Sequence, residues 1–176
     1  MFCGSSPKVD ARYLDLARDV GALLGARGVE VVYGGANMGL MGSLADAALA
    51  AGGRVTGVLP TGLRGKEFAH TGLTELHMVD SMAVRKAMMF ERSGAFLALP
   101  GGFGTLDELF EAVTLRQIGE HSRRIALYDE DGFWKPLSEW INRAVEARFV
   151  PDHVRDAIEV LGDRDSLTRW VDSVFA

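Results

Sequence analysis

Three turns in this chain are crowded with small residues, and each follows a short apolar run: Cys3-Gly4-Ser5-Ser6, Gly34-Gly35-Ala36-Asn37-Met38-Gly39 and Pro100-Gly101-Gly102-Phe103-Gly104-Thr105. Glycine lets the backbone approach a ligand closely, and a helix that starts at such a turn offers its unsatisfied N–H groups to an anion. A glycine after a strand also serves simply to relieve a tight turn, so one loop of this kind carries little weight. Three at one edge of a parallel sheet are better explained by a bound phosphate or nucleotide. None matches the GxxxxGKS/T phosphate loop, and no G-x-G-x-x-G with a suitably placed acid follows the first run. ATP hydrolysis and dinucleotide binding are therefore set aside.

The elements that must present these turns are short apolar runs alternating with amphipathic stretches, the pattern of a parallel sheet with helices on both faces. Strands are expected at Met1 to Cys3, Val29 to Tyr33, Val55 to Leu59, Ala95 to Leu99, Ile125 to Tyr128 and, more weakly, Ile158 to Leu161. Only Met1 and Phe2 precede Cys3, so the first strand begins almost at its end. Leu16, Val20, Leu23 and Leu24 recur at helical spacing before Gly28, and Leu137, Trp140, Ile141, Ala144 and Val145 do so before Pro151; both sets predict core-facing helices. Ser81 to Ser93, Thr105 to Gln117 and Ser166 to Val174 also read as helices, and Pro60 to Thr71 as a long loop. With no repeat, low-complexity tract or linker, the fold class expected is α/β: a single doubly wound, Rossmann-like domain over residues 1–176.

The bulk numbers narrow the function classes. At 176 residues one domain with a substantial core is the default. Lys plus Arg number 19 against 24 Asp plus Glu, a net charge of -5, which lacks the positive excess that nucleic-acid binding needs. A small anion can still be held locally by backbone N–H groups and one or two arginines. Cys3 is the single cysteine, so no internal disulfide forms, and the best N-terminal apolar stretch, Leu14 to Leu24, is broken by Asp15, Arg18 and Asp19. The expectation is a cytoplasmic protein with no membrane and no nucleic-acid partner.

Pro100 to Glu108 reads PGGFGTLDE, Tyr33 to Gly42 reads YGGANMGLMG, and Met82-x-x-Arg85-Lys86 lies between them. Together these resemble the signatures of the LONELY GUY (LOG) family of cytokinin riboside 5′-monophosphate phosphoribohydrolases. The likeness runs from Cys3 through Phe149, and PGGxGTxxE with an upstream MxxRK is a specific pairing. It implies hydrolysis of the N-glycosidic bond of an adenine-type nucleoside 5′-monophosphate, AMP or a cytokinin nucleotide. No metal or organic cofactor is expected, because carboxylate, guanidinium and backbone N–H groups suffice for a charge-separating hydrolysis. The resemblance also implies at least a homodimer, with the Arg85 helix and the active site close to a two-fold interface. Many relatives are labelled lysine decarboxylases. None of the four lysines, Lys8, Lys66, Lys86 and Lys135, sits in a motif suited to holding pyridoxal phosphate. One departure stands in the second motif: the third glycine of the family's YGGG is Ala36, which should narrow φ freedom there.

Cleaving a ribosyl N-glycoside builds positive charge on the sugar, so a carboxylate near C1′ stabilises the transition state or orients water. The resemblance puts Glu108 in that role. A competing reading exists, since Thr105-x-x-Glu108 before an apolar run is also a capping box. Asp107 reads as a solvated first-turn acid and Glu111 as the second functional carboxylate. Arg85 shares a helix face with Met82 and Met89 by spacing, and the resemblance places its guanidinium in the active site, on the nucleotide or on Glu108; otherwise it is a surface ion pair. Met82 and Met89 are core residues or line the base pocket, and Lys86 points about 100° away from Arg85.

Phosphate binding is assigned to Gly101, Gly102, Gly104 and Thr105, completed by Gly34 and Gly35, with Ser5 a further contact. Gln117 offers an amide or is merely exposed. His70 and His77 flank Glu75 near Glu67, but their spacing fits no compact zinc motif, so no metal is expected; His70 remains a pocket-lining candidate. Cys3 reads as a small buried hydrophobe. The alternative function is a non-catalytic nucleotide or molybdenum-cofactor carrier, which would not need Arg85 together with Glu108.

Overall fold

The computed structural model describes residues 1–63 and 69–175, so the central part of the loop expected from Pro60 to Thr71, including Lys66 and Glu67, lies outside the described residues. The chain divides into two compact units, Met1–Ser93 and Gly94–Ala176. Both are α/β with parallel strands, which bears out the α/β class.

In the first unit the order is α1 (Ala11–Ala26), β1 (Val31–Tyr33), α2 (Gly39–Ala50), β2 (Val55–Pro60), a 3₁₀ turn (Thr61–Leu63), β3 (Glu75–Val79) and α3 (Met82–Glu91). The strands pair in the order β1-β2-β3, with Val31 beside Val55 and Thr56 beside Glu75. Every residue of β1 and β2 is buried, as a strand covered on both faces must be. Met1 to Cys3 is not one of these strands; Phe2 makes a single bridge, and the Met1 ammonium donates to Val32 O at 2.7 Å.

Two elements of this unit were not among the expected ones. β3 alternates in burial, and Glu75 and His77 leave it without a continuous apolar run. α2 is made largely of Gly, Ala, Leu and Met, and its small residues are the reason it packs so near α1. A Cβ at Gly21 would meet Leu44 O, and one at Gly25 would meet Ala48 O, so the two helix backbones nearly touch. Asp10 caps α1 by accepting from Arg12 N–H at 3.1 Å, and Gly28, at φ 66°, ends it in the left-handed conformation. Leu16, Val20, Leu23 and Leu24 are all buried.

In the second unit the order is β4 (Phe96–Ala98), α4 (Phe103–Gln117), β5 (Ile125–Tyr128), α5 (Lys135–Glu146), α6 (Asp152–Arg155), β6 (Ile158–Leu161) and α7 (Arg164–Phe175). The strands run β4-β5-β6, all parallel, with Phe96 beside Ile125 and Ile125 beside Ile158. The four-residue α6 was also unexpected. Arg124 makes a two-pronged pair with Glu159, Nε to Oε1 at 2.8 Å and Nη2 to Oε2 at 2.6 Å, and Trp170 Nε1 donates to the same carboxylate at 3.0 Å. This network fastens the start of β5 to β6 and α7. Ile141 and Ala144 of α5 are buried as expected, but Trp140 is 54 % exposed and meets Phe110 edge-on at 6.0 Å.

Candidate active site

In the first unit the turn after β1 leads straight into α2, and its glycines serve different ends. Gly35 has φ 81°, which a side chain rarely adopts, while Gly34 has no such φ and instead gives up its Cβ to neighbours. A Cβ there would run into the Arg85 guanidinium and lie 2.8 Å from Met41 Cε. Ala36 is fully buried with no positive φ, forms an antiparallel bridge with Ala69, and accepts a 3.1 Å hydrogen bond from the Tyr33 hydroxyl at its carbonyl. The expected restriction at Ala36 is therefore absent, because the left-handed position of this turn is Gly35. Burial, with Cys3 and Asp46 adding to it, pushes the Tyr33 pKa well up, so the phenol stays a neutral donor.

Gly39, at φ 60°, brings the first small-residue turn into the same place. A Cβ on it would lie 2.6 Å from Ser6 O, and Met41 N–H donates to Gly4 O at 3.2 Å. The α2 N-cap, Met38, provides no side-chain cap. Ser5, Gly34 and Gly35 are thus gathered around the start of α2, with the Arg85 guanidinium against Gly34. Gly39 was not among the expected site residues; its signal was its place in the YGGANMGLMG run.

Arg85 is 5 % exposed and its Nε donates to Val58 O at 3.0 Å, so it is not a surface ion pair. The helix that carries it is capped by Ser81, whose hydroxyl accepts from Val84 N–H at 3.2 Å. Met89, one turn on, is buried with it, Lys86 is half-buried, and Met82 is 42 % exposed, so Met82 does not share their core face. His70 is buried, with Nε2 3.0 Å from Asp46 Oδ1 and Nδ1 accepting from Gly72 N–H at 3.0 Å. His77 pairs with Glu75 at 3.2 Å, and that hydrogen bond is the chief reason the Glu75 pKa is lowered. Among the described residues no group of three or more His, Cys, Asp or Glu could hold a metal ion. Cys3 is buried.

In the second unit the turn after β4 opens α4, whose N-cap is Gly102 rather than Thr105. The capping box is consequently not formed: Thr105 is the third residue of the helix and Glu108 lies in its second turn. Asp107, expected in the first turn, is also in the second, and it is exposed. Gly102 has no side chain to cap the helix, and Cβ atoms built on Gly102 and Gly104 would meet nothing within 4 Å. A helix start without a side-chain cap, and with room beside its glycines, is an arrangement suited to an anion. Gly101 is half-buried, Thr105 is buried, and Glu108 is 4 % exposed on the inner side of the helix, with Glu111 three residues on. Gln117 is exposed at the far end of α4, about 20 Å away by helical rise, where it lines a separate hollow of 270 Å³ with Arg116 and His153.

Comparison with known proteins gives the family. Residues 41–171 match a family model described as "Possible lysine decarboxylase". A cytokinin riboside 5′-monophosphate phosphoribohydrolase of Rhodococcoides fascians is 42 % identical over 93 % of this chain and 83 % of its own length. The Arabidopsis thaliana enzyme of that name, LOG3, is 40 % identical over 90 % of this chain and 74 % of its own. Among solved structures, the molybdenum cofactor binding protein of Rippkaea orientalis superposes with a TM-score of 0.71 at 16 % identity, covering 99 % of this chain and 94 % of the other. The molybdenum cofactor carrier protein of Chlamydomonas reinhardtii reaches 0.70 at 17 % identity, covering 94 % and 89 %; at such identities the likeness concerns the fold alone. With the family model spanning most of the sequence and phosphoribohydrolases sharing about 40 % of its residues over nine tenths of its length, the chain belongs to the LOG family.

Proposed function

We propose that this protein hydrolyses the N-glycosidic bond of adenine-type nucleoside 5′-monophosphates, AMP or a cytokinin riboside 5′-monophosphate, to the free base and ribose 5-phosphate. The observation that carries the reading is a buried glutamate, Glu108, on a helix whose N-terminus has no side-chain cap, in a chain 42 % identical to a named phosphoribohydrolase. In the second unit the N–H groups after Gly101 and Gly102, with Gly104 and Thr105, take the 5′-phosphate; Gly34, Gly35 and Ser5 of the first unit are assigned to substrate binding on the family resemblance alone. Remote phosphate binding then orients the sugar. As the bond to the base lengthens, the Glu108 carboxylate offsets the charge growing on the ribose or directs water to C1′. Arg85 supplies a fixed guanidinium whose Nε is already held by Val58 O. Lys86, Met82 and Met89 are assigned to the base and sugar side, with Glu111 the reserve carboxylate.

A homodimer also fits. Four apolar side chains of the first unit are exposed, Leu76 and Met78 on β3 and Met82 and Val84 on α3, the helix that carries Arg85. No helix among the described residues is long and apolar enough to cross a membrane, and a cytoplasmic location is consistent with a lone, buried cysteine. The decarboxylase reading gains nothing from the described lysines: Lys8 and Lys135 are exposed and Lys86 is half-buried on α3. The carrier reading rests on fold likeness at 16 to 17 % identity alone.

The test is incubation with AMP and with isopentenyladenosine monophosphate, followed by chromatography of the free base, with and without a chelator. Base release that survives chelation is expected. No release from either nucleotide overturns the proposal.

A further inference from the structure

The turn that carries Gly34 and Gly35 is not held by β1 and α2 alone. His70 N–H donates to Gly35 O at 3.0 Å, and Ala69 bridges Ala36, so residues 69 and 70 run antiparallel to the turn as a one-rung ladder. One rung is weak by itself, since ordering each residue costs conformational entropy on the order of the hydrogen bond gained. The imidazole of His70 adds what the ladder lacks. Its side chain is 10 % exposed, and both ring nitrogens are engaged.

The partners fix the tautomer. A backbone N–H only donates, so Nδ1, 3.0 Å from Gly72 N, is the unprotonated acceptor. The proton of the neutral ring is then on Nε2, which donates to Asp46 Oδ1 at 3.0 Å. Asp46 belongs to α2, the helix that the turn itself opens. The result is a closed brace: the turn leads into α2, α2 holds the ring through Asp46, and the ring's own backbone N–H holds the turn at Gly35. Gly72 fits this arrangement closely, since a Cβ there would lie 3.2 Å from His70 Cε1.

We infer that His70 is a positioning residue for nucleotide binding: as the neutral Nε2–H tautomer it clasps Gly72 and Asp46 and thereby fixes the Gly34-Gly35 turn against which the Arg85 guanidinium packs. The inference rests on the hydrolase reading, and it assigns His70 no contact with substrate. Because the turn is placed in substrate binding, its loosening raises KM; a mere loss of folded protein would lower apparent kcat and leave KM alone. Displacement of a positioning group by about 1 Å can cost up to about 10²-fold, so His70→Ala is expected to lower kcat/KM for AMP by about 10- to 100-fold, mainly through KM.

Three further measurements separate the brace from general packing. His70→Asn keeps an acceptor where Nδ1 stood and loses the reach to Asp46, so it should fall between His70→Ala and wild type. Asp46→Asn keeps an acceptor oxygen for Nε2–H and should stay within about threefold of wild type, since neutral hydrogen bonds are individually modest. Long-range ¹H–¹⁵N correlation on the wild-type protein should show His70 Nδ1 unprotonated and Nε2 protonated. A wild-type spectrum with the proton on Nδ1 overturns the inference, as does a folded His70→Ala or His70→Asn variant with unchanged KM. Should the wild type release no base, the hydrolase reading fails, whereas an active wild type with indifferent His70 variants defeats only the brace.

Discussion

Replacing Glu108 by Gln is the sharpest test, because the rate should fall steeply while the fold survives. A glutamate in a capping box would contribute to helix stability, and loss of a cap costs about 1 kcal/mol. In a chain of this size that moves Tm by about 2–4 °C. Here the N-cap is Gly102 and Glu108 stands in the second turn, so no cap is lost. Gln has nearly the same volume in a position only 4 % exposed, so the fold should survive the exchange. The rate should behave otherwise. A positioned acid or base contributes about 10²- to 10⁴-fold, which is about 2.7–5.4 kcal/mol of barrier at 1.36 kcal/mol per decade. The assay is initial-rate base release from AMP beside a thermal melt of the same preparation. Near-normal turnover with an unchanged melt would refute the assignment and move attention to Glu111.

Four other outcomes are expected. Adenosine should have a much lower kcat/KM than AMP, because phosphate binding is what orients the sugar; equal values would dismiss the phosphate assignment. Gly21→Ala should destabilise by about 1–3 kcal/mol, since its Cβ would press on the Leu44 carbonyl rather than on a side chain that can turn away; an unchanged melt would contradict the helix contact. The hydrogen bond from Arg124, above all, lowers the Glu159 pKa, so its stabilisation is full above the unfolded carboxylate pKa and is lost as pH falls through the lower folded value. Glu159→Gln should therefore lower Tm at pH 7 and lose that difference on strong acidification; a pH-independent difference would exclude the pair as its source. Light scattering at micromolar concentration should give at least a dimer, and a fully active monomer would contradict the interface proposed beside α3.

What could be read beforehand follows from how each element is encoded. β5 is IALY and β2 is VTGVLP, wholly buried, and such strands announce themselves as apolar runs. α2 escaped because the same small residues that let it lie on α1 blur its helical period, and β3 because Glu75 and His77 interrupt its apolar pattern. Helix starts are the least local of all. Thr105 with Glu108 spells a capping box, yet the chain enters its helix two residues earlier, at Phe103, because Gly102 supplies the extended cap geometry. Trp140 carries the apolar spacing of a core residue and is nonetheless 54 % exposed, since hydrophobic periodicity fixes a face but not its width.

The candidate site shows a further limit of reading glycines by type. Glycine is ordinarily explained by φ freedom or by the close approach of a ligand, and Gly35 at φ 81° and the open Gly102 and Gly104 fit those reasons. Gly34 fits neither. Its missing Cβ is the space that the Arg85 guanidinium occupies, between Met41 and the strand carbonyl at Val58 that holds Arg85 Nε at 3.0 Å. Gly34 and Arg85 are therefore one device written in two places, and neither residue is intelligible from its own neighbourhood in the sequence. The same holds for His70, whose ring joins a loop to a helix 24 positions away. The structure gives the reason for these pairings, which is that each residue occupies room or satisfies a hydrogen bond that the other leaves open.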